Sequence, residues 1–152
     1  LQLENAAGVK LAYIPNNQGG AGAMKAVIAG EVMGGVNNLS DAFRAADAGN
    51  IKILGVFDTE RSDFLPDVPT MQEQGYDIDN ASVNYRGIMV PKGTPQEVID
   101  KLAETMPAMF QNDRVKKQMK AGGSPMKVMT RDEVREMWNQ RQETLEKLLA
   151  GL

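Results

Sequence analysis

The run Asn17-Gln18-Gly19-Gly20-Ala21-Gly22 carries the clearest binding chemistry in the chain. Its glycines would let a ligand approach the backbone, and the unpaired N–H groups that open the following helix carry partial positive charge, so a small anion would be stabilised there. The run lacks the Lys-Ser/Thr ending of a phosphate loop, and Lys25 stands where a dinucleotide GxGxxG would need its last glycine. A purely structural glycine turn stays open as the alternative. Asn37, Asn38 and Ser40 follow in a second polar loop, where they could donate to a carboxylate or simply cap a helix, the simpler role for them alone. Asp58, Thr59 and Arg61 form a third loop. Arg61 could meet a ligand, although pairing with an acid such as Asp63 or Asp67 is the more economical reading. Tyr85 and Arg86 could line a cleft, or pack and snorkel.

Composition removes most other chemistry. The 152 residues contain no His and no Cys, which excludes thiol catalysis, an imidazole base and the usual zinc sites, so neither a metal nor a cofactor is expected. Seventeen basic against twenty acidic residues give a net charge of −3, without the clustered cations that bind nucleic acid or anionic membrane. The ten Met residues fall mostly on apolar helical positions and read as gap fillers. No apolar run approaches the roughly 20 residues of a membrane helix, and Leu1–Asn5 lacks the features of a signal peptide.

The elements that would position these groups alternate. Residues 9–14, 32–36 and 51–57 read as strands, and 23–29 and 42–48 as helices, with Gly30 and Gly49 as stops. Short connections between such units predict parallel strands with all three polar loops at one sheet edge. The prolines of Leu65-Pro66-Asp67-Val68-Pro69-Thr70 predict a rigid corner, with Thr70 capping a short helix over 71–74. A further strand is expected over 82–90. Beyond it Thr94 reads as a cap with Pro95 at the first helical position, Pro107 as a kink, and 112–121 as a short helix. A small strand over 126–129 then precedes the capping box Thr130-Arg131-Asp132-Glu133, which opens an amphipathic last helix. The composition shift near residue 80 suggests two lobes, 1–81 and 82–152.

Several phrases, taken in order, resemble one family. They are Ile14-Pro15 with Gly19-Gly20, Ile28-Ala29-Gly30-Glu31-Val32, Ala48-Gly49-Asn50-Ile51-Lys52-Ile53-Leu54-Gly55-Val56, Arg61 with Leu65-Pro66-Asp67-Val68-Pro69-Thr70, and Gly87-Ile88-Met89-Val90-Pro91-Lys92-Gly93-Thr94-Pro95. The chain is similar to the later part of the Bug-type receptors, the extracytoplasmic substrate-binding proteins of tripartite tricarboxylate transporters. Asn16 and Met33 depart from the family pattern, which has an aromatic residue and an Asp there.

The resemblance implies an α/β, periplasmic-binding-protein-like fold, with parallel strands alternating with helices and a mainly helical C-terminal part. Residues 1–81 would form a partial second lobe that binds the ligand, and 82–152 the crossing strand and the helical segment that completes the first. It implies a periplasmic protein that captures a small organic acid or acidic amino acid, performs no covalent chemistry, and hands its ligand to membrane subunits. Asn17, Gly19, Gly20, Ala21, Asn38, Ser40 and Tyr85 are the expected ligand contacts. Uncovered sheet edges would lead a truncated form to self-associate. Two rivals stand beside this reading: a small α/β enzyme using Asp58 or Glu60 as base on an organic acid, and an interaction module without a ligand.

Overall fold

The computed structural model describes residues 1–150. It contains six helices: α1 (Gln2–Ala7), α2 (Gly19–Ile28), α3 (Leu39–Asp47), α4 (Gln96–Gln111), α5 (Asp113–Ala121) and α6 (Arg131–Leu149). The chain separates into two compact units, one of Leu1–Asn80 with Gly122–Pro125 and one of Ala81–Ala121 with Met126–Leu152. Within the first unit α2 packs against α3, and within the second α4 packs against α5.

The expected parallel sheet is absent among the described residues. Segments 9–14, 51–57, 82–90 and 126–129 carry no strand, and 32–36 form bends and irregular backbone. The strand pairing that does form is a single parallel bridge between Val56 and Thr70. The Val56 N–H donates to the Pro69 carbonyl at 3.0 Å and the Met71 N–H to the Val56 carbonyl at 2.9 Å. The next rung of a parallel ladder toward the chain start would require the N–H of residue 69 to reach the Leu54 carbonyl, and proline has none. The Gln74 side-chain amide donates to the Leu54 carbonyl instead, at 3.1 Å. Apolar β-branched composition supplies only a tendency, and a strand exists only where a neighbour answers its backbone groups.

Helix boundaries also differ from the sequence reading. The first residues fold as α1, closed by Gly8 in the left-handed conformation. Helix α2 starts at Gly19 rather than Ala23, so the expected glycine loop is largely the first helical turn. Pro95, not Thr94, is the N-cap of α4, and the Thr94 hydroxyl donates to the Pro91 carbonyl at 2.8 Å. Helix α4 runs through Pro107, whose missing N–H leaves the Ala103 carbonyl without a helical donor. The capping box at Thr130 and Glu133 is formed as the sequence predicts.

The proline-rich corner is held by a polar cluster. Arg61 Nε donates to both oxygens of Glu73, at 2.8 and 3.0 Å, and Arg61 Nη1 donates to the Pro66 carbonyl at 3.0 Å. Glu73 also accepts from the Thr70 N–H at 2.7 Å, while the Glu73 N–H donates to the Thr70 hydroxyl at 3.1 Å. Arg61 therefore has its internal acid, but twelve residues away rather than at Asp63 or Asp67. Segment 71–74, expected as a helix capped by Thr70, is a run of turns that keeps the reciprocal cap.

These contacts make stability depend on acid. The Arg61 guanidinium, then the Thr70 amide, holds the Glu73 carboxyl below its usual range. The Thr130 amide does the same for Glu133, and the Leu11 amide for Glu4. A carboxyl depressed in the folded state binds more protons when unfolded, so its contribution is complete above the ordinary value of 4.5 and is lost as pH falls through the folded value. The thermal midpoint should hold level from pH 7 to about 5 and decline below that. Glu73→Gln should flatten part of the decline. Identical acid slopes in the two proteins would dissociate Glu73 from this behaviour.

Candidate functional site

The first turns of α2 and α3 lie side by side in the first unit. Asn38, in extended backbone, is the N-cap of α3, and Ser40 and Asp41 follow in its first turn. The Asp41 carboxylate rests against Gly20, where any β-carbon would collide with it. Gly22 is buried, and Asn16 and Gln18 close over it just as tightly. The Asn16 side chain also accepts the Gln18 N–H at 2.8 Å and so shapes the turn that enters α2. Gly19, Gly20 and Ala21 thus belong to the opening turn of a helix, with Asn17 immediately outside it.

Two helix starts meeting in this way concentrate outward N–H groups and their partial positive charge. The arrangement can hold a carboxylate, and Asp41 already lies within it. Sequence reasoning missed Asp41, although its place three residues after Asn38, in the position that faces a helix cap, was a usable signal. Asn37 Nδ2 is enclosed with no hydrogen-bond partner among the described residues. Such a donor is a costly feature to leave unpaired.

Tyr85 lies in the second unit and lines a groove there with Trp138 and Arg141. A further groove of about 660 Å³ in the first unit is walled by Ile51, Ile53, Leu65, Val68 and Pro69, with Lys52 and Asp67 also lining it. Asp58, the base of the rival enzyme reading, accepts the Thr59 N–H at 2.8 Å and the Asn80 amide at 3.4 Å, which is the work of a turn-forming side chain. Among the described residues no cluster of three acidic side chains could hold a metal ion, and no helix is long and apolar enough to cross a membrane.

The profile of the Tripartite tricarboxylate transporter family receptor matches residues 2–149. The chain belongs to this family. It is 29% identical over 118 residues to Protein BugT of Bordetella pertussis, an alignment covering 78% of this chain and 36% of BugT. It is 31% identical over 129 residues to the UPF0065 protein in the tcbD-tcbE intergenic region of a Pseudomonas species, covering 78% of this chain and 37% of that protein. Against the UPF0065 protein in the gbd 5'region of Cupriavidus necator it is 31% identical over 95 residues, covering 62% of this chain and 28% of that protein. The alignments therefore span about a third of the length of these relatives. The family is one of transport receptors and not a family of enzymes.

Proposed function

We propose that this chain is the ligand-binding portion of a periplasmic solute receptor, one that captures a small carboxylate and delivers it to the membrane subunits of a tripartite tricarboxylate transporter. Family membership over residues 2–149 carries the reading. The paired helix starts at Gly19 and Leu39 support it, because binding without turnover needs fixed donors for a negative charge and no nucleophile or base. The proposed contacts in the first unit are Asn17, Gly19, Gly20, Ala21, Asn38 and Ser40, and Tyr85 is proposed separately as a contact within the second unit. Ligands of the class include di- and tricarboxylates and acidic amino acids.

Asp41 sets a condition on this site. An incoming carboxylate must displace the Asp41 side chain from Gly20 or bind beside it, and in the second case it meets like charge. Calorimetric titration with citrate, succinate and glutamate tests the reading. Gly20→Asp should reduce affinity at least tenfold, because its β-carbon collides with Asp41 and its carboxylate adds a second negative charge where the ligand's must sit, a change of about 1.4 kcal/mol or more. Unchanged affinity in that variant would remove the site from the first turn of α2.

Self-association belongs to the same proposal. Tyr13, Ile14, Leu54 and Met89 are 87%, 66%, 70% and 81% exposed, on segments that carry no strand ladder. Such apolar, unpaired segments are sticky in water. Light scattering should show mass rising with concentration, and a constant monomer mass would contradict it.

A further inference from the structure

Three residues of the second unit form a second place for a negative charge. Arg141 Nη1 donates to the Val83 carbonyl at 2.7 Å, and its guanidinium lies 5.3 Å from the centroid of the Tyr85 ring. One turn earlier on α6, Trp138 meets the same tyrosine at 6.1 Å between ring centroids, with the rings tilted by 50°. These groups line a groove of about 540 Å³ whose walls continue along α6 through Leu145 and Leu149. The volume is that of a site for a small organic molecule.

Arg141 has no carboxylate within ion-pair distance among the described residues, whereas Arg61, Arg131 and Arg135 each have one. Of its five N–H donors, one is committed to Val83. Glu146 and Gln142 also line the groove, and the Glu146 carboxylate accepts from the Gln142 amide at 2.9 Å rather than from Arg141. The carbonyl of Val83 and the face of Tyr85 fix the plane of the guanidinium, which prepares its remaining edge for a planar anion. Beside it, Trp138 and Leu145 remain 42% and 36% exposed, so flat apolar surface adjoins the cation.

We propose that Arg141, Tyr85 and Trp138 form a binding groove for an aromatic monocarboxylate, with the carboxylate on the Arg141 fork and the ring against Trp138 and the leucines. The proposal rests on the receptor reading only in taking Tyr85 as a ligand contact, since the groove is built wholly from residues 81–149. Arg141 and Trp138 are added binding residues.

Trp138 is the one tryptophan of the chain, so its fluorescence reports on the groove directly. Benzoate should change the emission saturably, and benzamide, of the same shape without the charge, should bind at least about tenfold more weakly. Arg141→Gln should weaken benzoate by about the same factor, and Arg141→Lys should recover only part of the loss because the planar fork is gone. Equal responses to benzoate and benzamide in the unaltered protein would overturn the proposal even if the Arg141 variants failed to fold. So would an emission that ignores both ligands and shifts to the blue with protein concentration, which would assign the groove to a second copy of the chain. Gly20→Asp separates the two readings: loss of citrate binding there, with benzoate binding indifferent to Arg141→Gln, would keep the receptor and discard the groove. Benzoate binding that is lost in Arg141→Gln, with citrate binding untouched by Gly20→Asp, would do the reverse.

Discussion

Replacing Ile78 by alanine is expected to cost the first unit about 2–5 kcal/mol, enough to lower its denaturation midpoint severely or abolish the cooperative transition. Ile78 is 1% exposed and is the largest fully buried side chain among the described residues. The deletion removes three carbons' worth of transfer free energy and leaves a void that the surroundings fill only in part. The effect is magnified by how little else is buried. Met24 and Met71 are the other buried large apolar side chains of this unit among the described residues, and methionines adapt to gaps but specify packing poorly. Ile78→Val should cost about 0.5–1.5 kcal/mol by the same reasoning. Urea denaturation of the two variants checks the ordering. Equal midpoints for Ile78→Ala and the unaltered protein would mean that the small core does not hold this unit together.

Gly123→Ala should be nearly as damaging, at about 2–4 kcal/mol, for two separable reasons. Gly123 has φ +62°, where a side chain is strained whatever the space around it. A β-carbon there would also stand 2.7–2.8 Å from Phe43 atoms, well inside contact distance. Phe43 cannot retreat freely, because its ring meets Phe64 edge-on with centroids 5.7 Å apart. The glycine thus lets residues 122–125 join the first unit although their neighbours on both sides belong to the second. Repeating the substitution in a Phe43→Gly background, which removes the Phe43 β-carbon together with the ring, should remove the collision and leave the backbone cost of about 1–2 kcal/mol. An unchanged penalty in that background would show that the contact with Phe43 contributes nothing.

Some of this was legible in the chain from the start. Thr130 and Glu133 announced the start of α6, because a capping box is satisfied by residues three apart and needs nothing from elsewhere. Gly30 and Gly49 marked the ends of α2 and α3 for a similar reason, and both lie at positive φ. The ordered phrases from Ile14-Pro15 to Gly93-Thr94-Pro95 pointed to the receptor family whose profile spans residues 2–149. The parallel sheet was not there to be read. Apolar runs at 9–14, 51–57 and 82–90 indicate extended backbone, but pairing depends on what lies beside them, and Pro69 withholds the donor that would continue the bridge at Val56.

The site divides along the same line. Sequence determined the glycines, the cap residues and the absence of His and Cys, all of them local or compositional, and these already favoured binding over catalysis. Tertiary structure decided that Asp41 lies on Gly20, that Glu73 rather than a nearer acid receives Arg61, and that Arg141 reaches back 58 residues to Val83. Each of these joins residues through space, where the energy depends on distance and direction that spacing along a chain does not encode.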